Sequence, residues 1–168
     1  MVSTEAIACL WGDERSLYTI TPGQINLILC MPAKDLFHNT VKIALEKDGW
    51  KITDEHLFIQ VEDVDFYIDL TAERILAAEK TGKKIAVEIK SFLGASDITE
   101  FHLALGQCLN YRSALRLTEP DRILYLAVPV DVYDEFFSRK FIQRIIGEYQ
   151  LKLLIFNPEQ EEIVIWKG

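Results

Sequence analysis

No hydrophobic run in this chain approaches the roughly 20 residues that a membrane-spanning helix needs, so no membrane partner is expected. Cysteine is scarce: Cys9, Cys30 and Cys108 are odd in number and far apart. Such spacing forms neither a metal-ligand set nor a disulfide framework, and it suits a reducing cytoplasm. The three histidines, His38, His56 and His102, form no zinc set either. Cations are outnumbered, with 18 Lys and Arg against 26 Asp and Glu, for a net charge of −8. That balance counts against tight, sequence-independent binding of nucleic acid, which depends on cations displacing counterions. An acidic chain acts on DNA through a local basic patch and a metal ion, or with a basic partner. Glycine-rich phosphate loops, internal repeats and low-complexity linkers are also missing.

What the chain does have is a single core's worth of apolar side chains, 49% of its 168 residues. The first thirty residues differ from the rest. They hold Trp11-Gly12-Asp13 and Thr21-Pro22-Gly23 but no sustained period, and Asp13, Glu14 and Arg15 break any signal-peptide pattern. Met31 is followed at once by a helix start. Residues 1–30 therefore read as a peripheral extension, or as an over-called translation start, and residues 31–168 as a single domain. A chain beginning at Met31 is expected to melt within a few degrees of the full chain. A large loss in a thermal melt would show that the extension packs as part of the fold.

Pro32 suits a first helical turn and Gly49 a helix stop, with Leu36, Phe37, Val41, Ala44 and Leu45 on one arc. His38 lies on that arc and Glu46 opposite it. Trp50 to Thr53 reads as a strand, followed by a β-rich run from Leu57 through Leu70. The stretch from Asp65 to Lys80 reads as a long strand turning through Thr81-Gly82 into a strand over residues 84–92. Ser96 or Asp97 caps a second helix to about Leu117, with Glu100 placed for a capping box. Arg122 to Val128 is a buried strand, and Val130 to Gly147 a third helix with Tyr133, Phe137, Phe141 and Ile145 at helical spacing. Strands over residues 151–156 and 162–166 end the chain. An α/β (α+β) domain follows, with a mixed central sheet between helices.

The chemistry sits in Lys83-Lys84-Ile85-Ala86-Val87-Glu88-Ile89-Lys90. Side chains alternate along a strand, so Glu88 and Lys90 share one face while Val87 and Ile89 take the other. Two carboxylates can hold a hard cation, and a lysine beside them can stabilise charge or activate water. The second carboxylate is Asp69 or Glu73. A tight hairpin would set Ile75 opposite Glu88 and Glu73 opposite Lys90. Asp69 would then lie six residues beyond the partner of Glu88, roughly 20 Å at ~3.3 Å per residue. A bulge near Thr71-Ala72 would bring Asp69 back; without one, Glu73 is the ligand. The same spacing also describes an ordinary amphipathic strand with a surface ion pair. Gln107 and Tyr111, one turn apart on the second helix, can both face the sheet. Lys83, Lys84, Arg112 and Arg116 are candidate phosphate contacts.

An acid on one strand and Glu-x-Lys on the next resembles the restriction-endonuclease-like core, ordered αβββαβ, here with C-terminal α and β additions. The likeness to a narrower family is closer. It runs from Met31-Pro32-Ala33-Lys34-Asp35-Leu36-Phe37-His38 through Lys47-Asp48-Gly49-Trp50, Val64-Asp65-Phe66-Tyr67-Ile68-Asp69-Leu70 and Val87-Glu88-Ile89-Lys90-Ser91-Phe92-Leu93-Gly94. It continues through Phe101-His102-Leu103-Ala104-Leu105-Gly106-Gln107 and Pro120-Asp121-Arg122 to Ile165-Trp166-Lys167-Gly168. Over about residues 31–168 the chain resembles XisH, the fdxN element excision controlling factor family of cyanobacteria.

The resemblance implies an accessory role in programmed DNA excision in heterocysts, beside a site-specific recombinase. The implied partners are DNA and a small XisI-like protein, and a homo-oligomer is left open. It also implies the PD-(D/E)XK nuclease fold. In that pattern Asp69, Glu88 and the Ile89 carbonyl ligate Mg²⁺ or Mn²⁺, Lys90 is the charged catalytic group, and Gln107 reaches the site. The alternative is a catalytically inactive module of that fold, acting through its partner.

Overall fold

A computed structural model describes residues 33–55, 57, 60–61, 64–65, 75–80 and 82–168. The first helix, α1 (Ala33–Lys47), ends as its glycine dictates. Gly49 takes φ +84°, its N–H donates to Glu46 O, and the Trp50 N–H donates to Leu45 O at 2.9 Å. This pair of back-turned bonds satisfies carbonyls that the helix end leaves over. The chain enters β1 (Lys51–Asp54) directly.

A small hairpin of β2 (Gln60–Val61) and β3 (Val64–Asp65) stands apart from the main sheet. The ends described for the long strand expected over residues 65–80 thus belong to different sheets. β4 (Ile75–Lys80) pairs antiparallel with β5 (Lys83–Ile89) from Lys80↔Lys83 to Ile75↔Glu88, the register expected of a two-residue connection, of which Thr81 lies outside the described residues. Then come α2 (Asp97–Thr118), β6 (Arg122–Pro129), β7 (Leu153–Asn157) and β8 (Glu162–Lys167).

The main sheet has six strands ordered β1-β4-β5-β6-β7-β8. β5, β6 and β7 run parallel, and the outer pairings are antiparallel. The parallel centre is buried on both faces, as such strands must be. On one face Val41 and Leu45 of α1 pack on Ile85, Val87, Ala127, Leu154 and Phe156. On the other, Phe101, Ala104 and Cys108 of α2 pack on Leu126, Val128, Leu153 and Ile155. The expected mixed sheet between helices is present.

Two local expectations are corrected. Ser96 is the cap of α2, and its carbonyl accepts from the Thr99 and Glu100 N–H groups, but no side chain caps the helix. Glu100 instead fills the space above Gly94 that a Cβ would occupy. The single helix expected over residues 130–147 is broken into α3 (Val130–Val132), a wide π turn (Tyr133–Phe137) and α4 (Lys140–Glu148). Adjacent residues of a regular helix diverge by about 100°. The wide turn lets Phe136 and Phe137 both enter the core, where each packs against Phe92 and Phe101 with ring centroids 5.1–6.2 Å apart. The register of the following helix moves with it: Ile142 and Ile146 are buried, while Phe141 is 67% exposed.

Candidate active site

β5 lies between β4 and β6 with a helix over each face, so its central side chains, Ile85 to Glu88, are buried whichever way they point. Alternation puts Ile85 and Val87 toward α1, and Ala86, Glu88 and Lys90 toward α2. Ala86 accordingly packs with Tyr111, Ala114 and Leu115 of α2. The Lys90 N–H donates to Ala127 O at 3.1 Å, which carries the parallel ladder one residue past the strand.

Glu88 and Lys90 share a face, as their spacing predicts, but they are not at the surface. Glu88 is 0% and Lys90 4% exposed, and Lys90 Nζ stands 3.6 Å from Glu88 Oε1. Both make further interactions, as do His38, Glu55 and Gln107. Two residues beyond Lys90, the backbone of Phe92 takes φ +53°, a left-handed conformation strained for an aromatic residue. Phe92 is nevertheless buried with Phe136 and Phe137, which hold the turn in place.

α2 supplies the roof. Burial, and then the negative charge of Glu88, push the Tyr111 phenol up from about 10 to about 12. Burial is also the main cause raising the Cys108 thiol, with Glu88 adding to it and Lys90 and Arg112 opposing it. Cys108 is a buried free cysteine on the helix that covers Glu88. Sequence reasoning passed over it, though its helical register with Phe101, Ala104 and Tyr111 could have found it. Gln107 is half-buried, with its Oε1 out of solvent.

The sign of the Tyr111 shift can be tested. A phenol whose folded value is raised contributes stability below pH ~10 that is lost as the pH climbs toward 12. Ultraviolet titration, read against Tyr111→Phe, should place the phenol near 12 in the wild type and lower, though still above 10, in Glu88→Gln. An unmoved midpoint in Glu88→Gln would remove Glu88 as its charged neighbour.

Other sequence candidates go elsewhere. His38 sits on α1, over the opposite face of the sheet, with Nε2 3.9 Å from Glu55 Oε2. Glu55 also pairs with Lys42, whose ammonium that hydrogen bond raises. Lys83 and Lys84 are exposed at the far end of β5, seven and six residues from Lys90 and thus ~20 Å away. Lys84 faces Glu79 at 3.8 Å. Arg112 donates to the carbonyls of Tyr149 at 2.7 Å and Gln150 at 3.2 Å, closing the end of α4. Arg116 is exposed. Asp69, Glu73 and His56 lie outside the described residues. Among those described, no three His, Cys, Asp or Glu side chains are placed to hold a metal ion.

With this geometry in view, the family model described as XisH protein matches residues 31–164. The chain belongs to the XisH family. It is similar to an XisH family protein of Nostoc punctiforme, with 52% identity and a TM-score of 0.74 over 80% of this chain and 100% of that one. It is equally similar to an fdxN element excision controlling factor protein of Anabaena variabilis, with 52% identity and a TM-score of 0.74 over 80% of this chain and 99% of that one. No curated protein matches the chain significantly.

Proposed function

We propose that this chain is an accessory factor in the excision of a DNA element and carries a Mg²⁺- or Mn²⁺-dependent endonuclease centre of the PD-(D/E)XK type. The observation that carries this reading is the shared burial of Glu88 and Lys90 on the face beneath α2. A surface ion pair on an amphipathic strand would stay in water at little cost. Taking both charges out of water costs several kcal/mol per ion, more than mutual attraction need return. Buried charge kept at such expense points to chemistry.

The donor set fits a hard divalent cation. The Glu88 carboxylate and the Ile89 carbonyl are oxygen donors of the kind Mg²⁺ and Mn²⁺ take, and Asp69 or Glu73 would supply the further carboxylate. Bound there, such an ion supplies Lewis-acid polarisation of a phosphoryl oxygen and a water of lowered pKa. Lys90 holds a positive charge where negative charge grows on the phosphate. Tyr111 stays a neutral phenol at physiological pH, and with Cys108 it excludes solvent from the Glu88 side of the helix.

The XisH family and the excision-controlling role of the Anabaena variabilis relative support a DNA-excision system; its substrate in this reading is heterocyst DNA and its partner a XisI-like small protein in the cytoplasm. The net charge of −8 favours a second reading, a module of this fold that assists through its partner without cutting. Calorimetric titration with Mn²⁺ and Mg²⁺ separates the two. The nuclease reading expects binding that Glu88→Ala removes; no heat with either ion, with the partner present, leaves the binding module.

A further inference from the structure

A cavity of about 640 Å³ lies between α2, α4 and the start of β6. Its charge is the reverse of the chain's. Arg112, Arg116, Arg122, Lys152 and Lys167 line it, and among the described residues no Asp or Glu side chain does, the carboxylate of Gly168 being the acid group in the lining, although acids outnumber bases 26 to 18 overall. Among the described residues, only Arg122 of these five has a carboxylate partner, Glu119 at 2.8 Å. Arg112 is bonded to the carbonyls of Tyr149 and Gln150. Lys167 is bonded to the Tyr133 hydroxyl at 2.9 Å and to Gln143 Oε1 at 2.6 Å. Neutral partners hold these cations in place without cancelling their charge.

With Arg122 balanced by Glu119, four cations around one concavity repel one another, and low-dielectric walls concentrate their field. Between them the lining is apolar, with Leu115, Leu124, Ile146 and Leu151. The volume falls in the ~300–1,000 Å³ range of small-molecule sites, and arginine forks match phosphate oxygens. We propose that this cavity is a binding site for a phosphorylated small molecule of nucleotide size. Its phosphate groups would meet Arg116 and Lys152, and its organic part the apolar wall. The lining reaches Cys108 of the helix that covers Glu88, but its cations lie toward the other end of β5, where Arg122 and Ile123 stand beside Lys84 and Ile85.

The test uses the full chain and ADP as probe, with adenosine and pyrophosphate as controls. Arg116 is exposed and Lys152 half-buried, so Arg116→Glu/Lys152→Glu should fold, as a thermal melt can verify. Calorimetry should show ADP binding that weakens with salt, tighter than pyrophosphate, with no binding of adenosine. The double variant should lose about tenfold or more, since it removes both charge-assisted contacts to phosphate and reverses their sign. No heat with ADP at low salt would overturn the proposal, as would ADP binding unchanged in the variant. A duplex DNA that binds wild type but not the variant, without ADP binding, would assign the cations to nucleic acid and overturn it too.

Discussion

Glu88→Ala is expected to abolish metal-dependent cleavage of supercoiled DNA, and Lys90→Ala to slow it by about 10²–10³-fold. The two losses differ in kind. Glu88 supplies a carboxylate from the strand between β4 and β6, and among the described residues it belongs to no group of three metal-ligating side chains. Lys90 supplies charge from the same face, 3.6 Å away, so its loss should leave much of the Mn²⁺ affinity while the rate falls. Gel assays with matched circular dichroism would separate lost chemistry from lost fold. Glu88→Ala cleaving at the wild-type rate would remove the site from this strand.

The same pair makes a prediction about stability. Lys90→Met, without metal ion, is expected to cost about 3–5 kcal/mol, because it removes the positive charge that stands against the buried Glu88 carboxylate. Glu88→Gln/Lys90→Met should recover most of that loss, since neither charge remains to be desolvated. Urea unfolding at pH 7 measures both. A loss below about 1 kcal/mol, the range of exposed ion pairs, would show that the two charges are solvated and the pair ordinary.

The parts of the site that follow strand parity and turn length were legible in the sequence. Glu88 and Lys90 alternate with Val87 and Ile89, and a two-residue turn at Thr81-Gly82 fixes Ile75 opposite Glu88. Gly49 ends α1 by the same local logic, because only a left-handed residue returns the chain there. Burial was not legible. Glu88 and Lys90 read as an exposed charged face until α2 is laid over them, which is a tertiary event. The π turn was hidden for a related reason: Phe136-Phe137 breaks the 3.6-residue period, and only the shared pocket with Phe92 and Phe101 makes the break favourable. Arg112 looked like a free cation because its partners, Tyr149 and Gln150, lie 37 and 38 residues away. The choice between Asp69 and Glu73 turns on chain geometry outside the described residues.

The most direct measurement is incubation of the purified wild-type chain, with and without the proposed XisI-like small protein, on supercoiled plasmid in Mg²⁺ or Mn²⁺. Nicked or linear product that requires the metal ion and disappears on chelation is the result expected of a Glu88–Lys90 nuclease centre. Plasmid that stays supercoiled with either ion, in the presence of the partner, would contradict it.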